Sequence, residues 1–406
     1  MKHKIILFAV NRGAEVDWIL PVLNKLSKKY LIYTYFRSQR SFNSLKSNKQ
    51  LYKLWKTINH QFYIEKKIDN FLWKLIRKPI NTLPCYLKSF FNINLINNKI
   101  HNIANIEKKV AQDSNILNPK VIMLFSETGI YSGWVEVYKN KINKPLIIHF
   151  PPNPNIYLKK IKKKFILSGD LCLIGSKKSV PALSSLVNLK KIKVCGVPKF
   201  DNWWIKKITS EKTDFNTKSI KNNKIITVAF NSYFEVLEKN EFVKLEDQLH
   251  KLMQVLCSLQ NVKIIFKIHP MLNSPHFLKI LNMYDKNKWL VSRTHLIKLS
   301  NISDCLICNA RSGAALDGLS VQTPTFHLWP TRSIEIVDNT LNQLKIVRVV
   351  KNELELKKYV KLAIQSPKNS EWIKQKRLFL KNFKFKKSAT SEYIKIINKK
   401  LKQNRF

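Results

Sequence analysis

The chain has 406 residues, 45% of them hydrophobic, so it can form two domains with real cores, and this composition excludes wholesale disorder. It carries 73 Lys and Arg against 26 Asp and Glu, a formal net charge of +47. Such a charge attracts phosphates without choosing among nucleic acid, anionic lipid and nucleotide-linked substrates. Compositional drift toward Lys, Asn and Ile would produce the same charge, so the charge alone establishes no partner.

Apolar strands alternate with amphipathic helices from the start of the chain. Residues 4–10 (KIILFAV) have strand length, a turn with one glycine follows, and the next segment has helical spacing before a second strand at 31–36. Continuous apolar runs of this kind are typical of parallel strands buried on both faces. The later strands predicted for this half are 121–125, 145–150, 170–175 and 191–197.

The same alternation restarts after a polar segment at 206–223, which predicts a linker. We expect an α/β fold of two Rossmann-like domains facing across a cleft. The predicted limits are 1–205 for the first domain, 224–350 for the second, and 351–406 for basic helices that close the chain. Strands of the second domain are predicted at 225–230, 263–268, 289–292, 304–308 and 323–328, with a helix at about 312–320.

Residues 40–118 do not follow this alternation and predict a helical insertion in the first domain, rich in basic and aromatic residues. Two helical faces are indicated within 51–76. An apolar face opposed by Lys and Arg suits an anionic membrane surface, and it suits an ordinary insertion packed on the first sheet equally. The positions that define the two faces are Leu51, Leu54, Trp55, Ile58, Phe62, Ile68, Phe71, Leu72, Leu75 and Ile76.

Cysteine usage and targeting signals point to a cytoplasmic protein. Six scattered cysteines, most inside apolar runs, predict reduced, buried thiols, and Cys305-x-x-Cys308 without a second pair predicts core residues rather than a metal site. No apolar run approaches the roughly 18 residues that span a bilayer. Peripheral contact with the inner face of the membrane stays open.

The segment KIIFKIHP (263–270) is the first candidate site. Its strand ends at Lys267 and His269, which alternation puts on one face at the carboxyl end of the sheet, where open α/β sheets bind ligands. A cation and an imidazole there can contact a phosphate or protonate a leaving oxygen. The alternative is that His269 only caps the next helix.

The segment 303–328 is the second candidate site. A strand ends at Asn309, and the turn that follows carries Ser312 and Gly313 at the predicted start of a helix. Backbone N–H groups and a hydroxyl at that point can hold a diphosphate, and Asp317 in the same helix can accept the hydroxyls of a ribose. A plain strand-turn-helix with a solvated aspartate is the alternative.

These two segments together resemble the C-terminal half of GT-B glycosyltransferases. The resemblance is closest to the CDP-glycerol glycerophosphotransferases of teichoic-acid synthesis and the capsule-polysaccharide transferases. Lys267-x-His269-Pro270 matches their first motif, and Asp304, Ser312 and Asp317 match their second. The segment 196–201 (GVPKFD) also resembles the one that closes their first domain. Two departures are the single serine at Ser312 and Gln322-Thr323-Pro324 in place of Gly-x-Pro.

The first domain offers candidates for contact with the donor or acceptor. Gly13, just after the first strand, lets a backbone approach a donor phosphate or the acceptor, and Asp17 beyond it is either a base or a helix cap. Glu127 follows the strand at 121–125, and His149 is near the end of the next strand. Either of these last two is a candidate general base for an acceptor hydroxyl.

The resemblance implies a metal-independent transferase. It would take a nucleotide-sugar or CDP-polyol donor as substrate, use no further cofactor, and build a cell-surface polysaccharide or glycolipid on a lipid-linked or polysaccharide acceptor. An enzyme like UDP-N-acetylglucosamine 2-epimerase and a basic protein that binds nucleic acid or membrane without catalysis are the alternatives. Walker, strict Gly-x-Gly-x-x-Gly, zinc-finger and RNA-binding signatures are absent from the sequence, so nucleic acid is the less favoured partner.

Overall fold

The computed structural model describes most of both predicted domains. The described residues are 4–10, 13–36, 39–58, 60–64, 119–125, 144–150, 169–184, 188–220, 222–230, 239–267, 275–310, 312–331, 340–383 and 388–403. Glu127, His269 and the second predicted helical face of the insertion lie outside them.

The first sheet is seven-stranded, with the order β3-β2-β1-β4-β5-β6-β7 and every pair parallel. Its register aligns Ile6 with Val121 and Leu124 with His149. The inner strands are continuously apolar because helices cover both faces, as the sequence predicts. The strands are β1 Lys4–Val10, β2 Tyr30–Phe36, β3 His60–Ile64, β4 Val121–Phe125, β5 Leu146–Phe150, β6 Leu171–Ile174 and β7 Ile192–Val194.

The second sheet repeats this winding with six parallel strands in the order β10-β9-β8-β11-β12-β13. Two parallel-sheet α/β domains are therefore present, and the predicted GT-B architecture is confirmed at the level of fold. The strands are β8 Lys224–Ala229, β9 Val262–Lys267, β10 Trp289–Ser292, β11 Cys305–Cys308, β12 Thr325–His327 and β13 Arg348–Val349.

Helices connect the strands and close the chain. Those of the first half are α1 Gly13–Leu26, α2 Gln39–Lys46, α3 Lys49–Lys56, α4 Val180–Leu183 and α5 Asn202–Ser210. Those of the second half are α6 Lys239–Cys257, α7 Pro275–Leu281, α8 Leu296–Asn301, α9 Ala315–Ser320, α10 Thr340–Gln343, α11 Glu353–Gln365, α12 Ser370–Phe383 and α13 Ala389–Gln403. Short 3₁₀ turns cover Lys177–Ser179, Leu189–Lys191, Pro198–Phe200 and Thr217–Ile220.

The C-terminal helix α13 returns to the first domain. Tyr393 and Ile397 are fully buried in the same core cluster as Trp18 of α1. Asp201 fixes the start of α13, because its carboxylate accepts hydrogen bonds from the Ser388 hydroxyl (2.7 Å) and from the backbone N–H groups of residues 389 and 390 (2.8 Å each). The chain thus ties its last helix to the segment that ends the first domain.

The predicted helical insertion is only partly correct. Its first face is helical over α3, where Leu51, Leu54 and Trp55 are at most 2% exposed and pack inside the first domain. Residues 60–64 are not helical but form β3, an edge strand paired with β2, in which Phe62 is 45% exposed. The face formed by residues 51–58 therefore packs on protein, which is the alternative of an ordinary insertion rather than that of a membrane surface.

Several predicted boundaries also change. Helix α5 extends to Ser210, into the segment predicted as linker. The helix predicted from 312 begins at Ala315, so Ser312 and Gly313 lie in the turn before it. Cys305 and Cys308 are fully buried, in two separate core clusters, which confirms that these thiols are core residues.

Candidate functional site

The two sheets share a strand order that places a crevice at one edge of each. The order reverses between β1 and β4 in the first sheet and between β8 and β11 in the second. Open α/β sheets bind ligands outside the carboxyl ends of the strands at such a reversal. Helix α1 follows β1 and helix α9 follows β11, so residues early in these helices lie beside the two reversal points.

A buried lysine joins two carboxylates from these helices. The Nζ atom of Lys199 lies 3.2 Å from Oδ2 of Asp17 in α1 and 2.6 Å from Oδ1 of Asp317 in α9. About a tenth of each side chain is exposed. Lys199 belongs to the 3₁₀ turn Pro198–Phe200 after β7, so this ion pair connects the first domain to the second.

A histidine completes the group, which we call the interdomain charge cluster (Asp17, Lys199, His295 and Asp317). Nε2 of His295 lies 2.9 Å from Oδ1 of Asp17, while its Nδ1 accepts the N–H of Ile297 at 3.1 Å. Because Nδ1 is an acceptor, the proton of the neutral ring is on Nε2, which donates it to Asp17. The backbone N–H of His295 donates to the side-chain oxygen of Gln50 in α3, a second contact between the domains.

Electrostatics within the cluster follow from two carboxylates that share one ammonium. Burial opposes the charged form of Lys199, but Asp17 and Asp317 outweigh it and raise its pKa. Burial also opposes the charged form of Asp17, but Lys199 and His295 hold its pKa well below the usual range. For Asp317, burial and repulsion from Asp17 exceed the attraction of Lys199, and the pKa is raised.

Lys267 lies close to this cluster, at the carboxyl end of β9, as the sequence predicts. Its pKa falls to about 8, because burial outweighs the attraction of Asp214 and Asp17, and Arg293 adds repulsion. In the strand register, Lys267 pairs with Ser292 at the end of β10, three residues before His295 of the cluster. A half-buried ammonium at this edge has the charge and position to contact an anionic ligand.

Asp214 shapes the neighbouring strand end. Its Oδ1 accepts the hydroxyls of Ser292 and Thr294, each at 2.6 Å, and its Oδ2 accepts the N–H of Arg293 at 2.6 Å. Burial favours a higher pKa for Asp214, but these hydrogen bonds lower it. The segment between the domains thus fixes the turn that leads from β10 to His295.

The turn predicted to hold a diphosphate is folded on itself. The Ser312 hydroxyl accepts the N–H of Ala314 at 3.4 Å, and the N–H groups of residues 315–317 donate to the carbonyls three residues earlier. Nε2 of His327 donates to the Ser312 carbonyl at 3.1 Å and steadies the turn from β12. The structure brings Ser312, Gly313 and Asp317 to the end of β11, but the first amides of α9 are already used internally.

Gly13 is explained by packing. Its N–H donates to the Ser44 hydroxyl at 3.2 Å, and a Cβ at this position would lie 2.7–2.9 Å from backbone atoms of Ser44 and Leu45 in α2. The close approach of α2 therefore requires glycine, independently of any ligand. Of the two alternatives for Asp17, the helix cap is excluded, since α1 begins at Gly13 and Asp17 is in its second turn.

His149 is buried at 1% exposure in β5, and its Nε2 accepts the N–H of Gly169 at 3.2 Å. Burial is the main reason that its pKa falls to about 4, with Asp170 opposing the shift and Lys191 adding to it. His149 is the fourth of the five residues of β5 and pairs with Cys172 of β6, while its ring is bonded to the turn that precedes β6. This position favours a structural role and weakens the case for His149 as general base.

Sequence reasoning did not single out Lys199, His295 or Gln50 as site residues. Lys199 stands in the segment GVPKFD, which the resemblance noted only as the end of a domain. Among the described residues, no group of three or more His, Cys, Asp or Glu side chains is arranged to hold a metal ion. In the same part of the chain, no helix has the length and apolar character of a membrane span.

Comparison with known proteins identifies the fold class. No protein-family model matches the chain, and no curated protein matches its sequence. Among solved structures, a Listeria monocytogenes protein named as a UDP-N-acetylglucosamine 2-epimerase is similar over 99% of this chain and 98% of its own, with a TM-score of 0.64 at 12% identity. The glycosyltransferase of kitacinnamycin is similar over 98% and 99%, with a TM-score of 0.62 at 9% identity.

A third similar structure is the UDP-GlcNAc 2-epimerase of Methanocaldococcus jannaschii in complex with UDP-GlcNAc and UDP. It covers 98% of this chain and 99% of its own, with a TM-score of 0.59 at 13% identity. Identities this low show the fold alone, and that fold is GT-B. The finer resemblance to CDP-glycerol and capsule transferases stays a prediction.

Proposed function

We propose that this chain is an enzyme of the GT-B fold that uses a nucleotide-activated sugar or polyol phosphate and transfers the activated group to a cell-surface polysaccharide or glycolipid acceptor. The observation that carries the proposal is that Lys267 at the end of β9, the strand end that leads to His295, and Asp317 after β11 follow parallel strands of the second sheet, where Lys199 joins Asp317 to the first domain. The bound UDP-GlcNAc and UDP of the similar M. jannaschii enzyme support a nucleotide-sugar as the ligand.

Each site residue has a proposed role. Lys267 contacts the diphosphate and, with His269, stabilises negative charge that develops on the leaving group; these groups need no metal for that task. The turn at Ser312 and Gly313 lies beside the diphosphate, and Asp317 accepts ribose hydroxyls. Glu127, which follows a strand end in the sequence, is the preferred general base for the acceptor hydroxyl, because His149 is buried and its Nε2 is bonded to Gly169.

Epimerisation of a UDP-sugar is the second candidate function. It is favoured by whole-chain structural similarity to two proteins named as UDP-GlcNAc 2-epimerases. An epimerase needs acid and base groups around the sugar but no acceptor. The two functions therefore share the nucleotide site and differ in what happens to the sugar.

The first experiment is a binding screen by thermal shift against CDP, UDP, GDP and their common sugar or glycerol conjugates. A ligand at about a hundred times its dissociation constant adds about 2.7 kcal/mol to the free energy of unfolding. We expect one nucleotide to stabilise the wild type and Lys263→Met, which alters a half-buried lysine on the same strand, but not Lys267→Met. Failure of every nucleotide to stabilise the wild type would contradict the proposal.

The second experiment follows the sugar. Proton NMR of the bound donor distinguishes release of the nucleoside diphosphate, which accompanies transfer, from inversion at a sugar carbon with the diphosphate intact. Glycolipid and polysaccharide acceptors are then compared with water as acceptor. Acceptor-dependent release supports the transferase, whereas inversion without acceptor establishes the epimerase and refutes transfer.

A further inference from the structure

The carboxylate of Asp317 is held by the opposite domain. Its Oδ1 lies 2.6 Å from the Lys199 ammonium, and no other side chain among the described residues forms an ion pair with it. Its Oδ2 has no donor in that part of the chain, although the side chain is only 10% exposed. Among the described residues, one oxygen of this carboxylate is thus paired and the other is not.

We infer that Lys199 is a positioning residue of the nucleotide site: it orients Asp317 so that Oδ2 accepts a hydroxyl of the bound nucleotide, and it makes that contact depend on how the two domains meet. The inference rests on the proposed function, because it assumes that Asp317 contacts the nucleotide. Lys199 itself touches Asp317 and Asp17, not the ligand.

Charge balance explains why Asp317 needs this partner. Three groups act on it: Lys199 and His295 favour the carboxylate, and Asp17 favours the protonated acid. Burial and Asp17 both favour the protonated acid, and the Lys199 ammonium is the stronger of the two groups that oppose neutralisation. A carboxylate accepts a hydroxyl hydrogen bond more strongly than a neutral acid does, because charge-assisted bonds are about twice as strong.

The position of Lys199 in the chain explains the dependence on domain contact. Its 3₁₀ turn follows β7 of the first sheet and precedes α5, whereas Asp317 follows β11 of the second sheet. A change in the separation of the domains therefore lengthens the Lys199–Asp317 contact before it alters either sheet. Nucleotide affinity and domain contact are coupled through this one ion pair.

The experiment measures nucleotide affinity as a function of pH, by calorimetry, in the wild type and in charge variants of the cluster. With CDP or the nucleotide found by the screen, affinity falls toward acid pH as Asp317 takes up a proton. Lys199→Met removes the opposing cation, so the midpoint of that fall moves to higher pH by about 1–3 units. Lys199→Arg retains the cation and keeps the wild-type midpoint.

Asp17→Asn provides a second variant that leaves no excess buried charge. Removing the repulsion from Asp17 moves the pH midpoint of nucleotide binding to lower pH, opposite in sign to the shift expected for Lys199→Met. This variant tests the inference even where Lys199→Met does not fold. Lys206→Met, an exposed lysine in α5, is the matched control and leaves the midpoint unchanged. Ionisation of the nucleotide phosphate is common to all variants and cancels in the comparison.

The outcomes separate this inference from the proposed function. A wild type that binds no nucleotide refutes both. A wild type that binds, with midpoints that coincide in Asp17→Asn and the wild type, overturns only the positioning role of the cluster. Opposite shifts in Asp17→Asn and Lys199→Met, with rescue by Lys199→Arg, support it, because a purely structural role would change stability without moving the pH midpoint of binding.

Discussion

The ionisation of Lys267 predicts a loss of nucleotide affinity at alkaline pH. Burial lowers the pKa of this side chain to about 8, so it releases its proton where ordinary lysines remain charged. If the ammonium contacts the donor diphosphate, affinity is greatest well below this pKa and falls as the pH rises through it. The perturbation is the pH alone, which leaves the sequence intact.

The magnitude follows from the two protonation states. At about pH 7 about 90% of Lys267 is charged, and at about pH 9.5 about 3% is, which corresponds to an increase in Kd of about thirtyfold. This factor equals about 2 kcal/mol, within the range of about 1.5–3 kcal/mol for a hydrogen bond to a charged group. The thiols of Cys305 and Cys308 do not interfere, because burial raises their pKa.

Calorimetric titration with CDP between about pH 7 and about pH 9.5 measures the effect. CDP is preferable to UDP because the uracil ring itself loses a proton at alkaline pH. Lys267→Met should bind weakly at every pH and show no alkaline fall. Lys263→Met is the matched control: this lysine is on the same strand, and its ammonium donates to the backbone carbonyl of Asn287 at the surface.

A flat affinity profile in the wild type would refute the placement of Lys267 at the diphosphate. An alkaline fall that persists in Lys267→Met would refute it as well, since another group would then be titrating. Contact between Lys267 and the diphosphate is supported only where the fall is present in the wild type and in Lys263→Met and is absent in Lys267→Met.

Two further predictions concern the first domain. Gly13→Ala should lower the free energy of unfolding by about 1–3 kcal/mol in urea, because its Cβ would overlap backbone atoms of α2, while the CDP affinity of the folded protein stays unchanged; lost affinity with full stability would indicate a phosphate-binding role instead. His149 has a lower pKa in the folded chain than the ordinary 6.5, so its contribution to stability is complete above about pH 6.5 and is lost as the pH falls toward about 4. The loss is about 3 kcal/mol, and acid unfolding of His149→Gln should lack this component.

Much of the fold could be predicted because parallel strands covered on both faces leave a continuous apolar run in the sequence. The run 121–125 is strand β4, and the run 263–268 is shifted by one residue in β9, which ends at Lys267. Because all strands are parallel, the residue that ends such a run is also predicted to lie at the carboxyl edge of the sheet. Hence Lys267 and the turn at Ser312 were found from the sequence, although the first amides of α9 prove to be bonded within the turn.

Periodicity was less informative in the insertion. The spacing of Leu51, Leu54 and Trp55 correctly predicts a helix, but an apolar face among lysines looks the same whether it packs on protein or on lipid. The two cases differ in the surface that the apolar face contacts. Here that surface is protein, because Trp55 packs edge-on against Phe36 of β2 and near Phe42 of α2. Phe62 fits the helical spacing by coincidence, since its segment forms the edge strand β3, which pairs in parallel with β2.

The interdomain charge cluster could not be predicted, because its members are 182 and 278 residues apart along the chain and none has a distinctive local pattern. In the sequence, Lys199 is one of 73 basic residues, and only its burial in the folded chain distinguishes it from the others. An exposed ammonium is screened within a Debye length of about 8–10 Å, whereas a buried one is screened far less and acts strongly on the carboxylates it touches. The net charge of +47 therefore does not single out Lys199 and Lys267: burial, and not the number of lysines, distinguishes these two side chains.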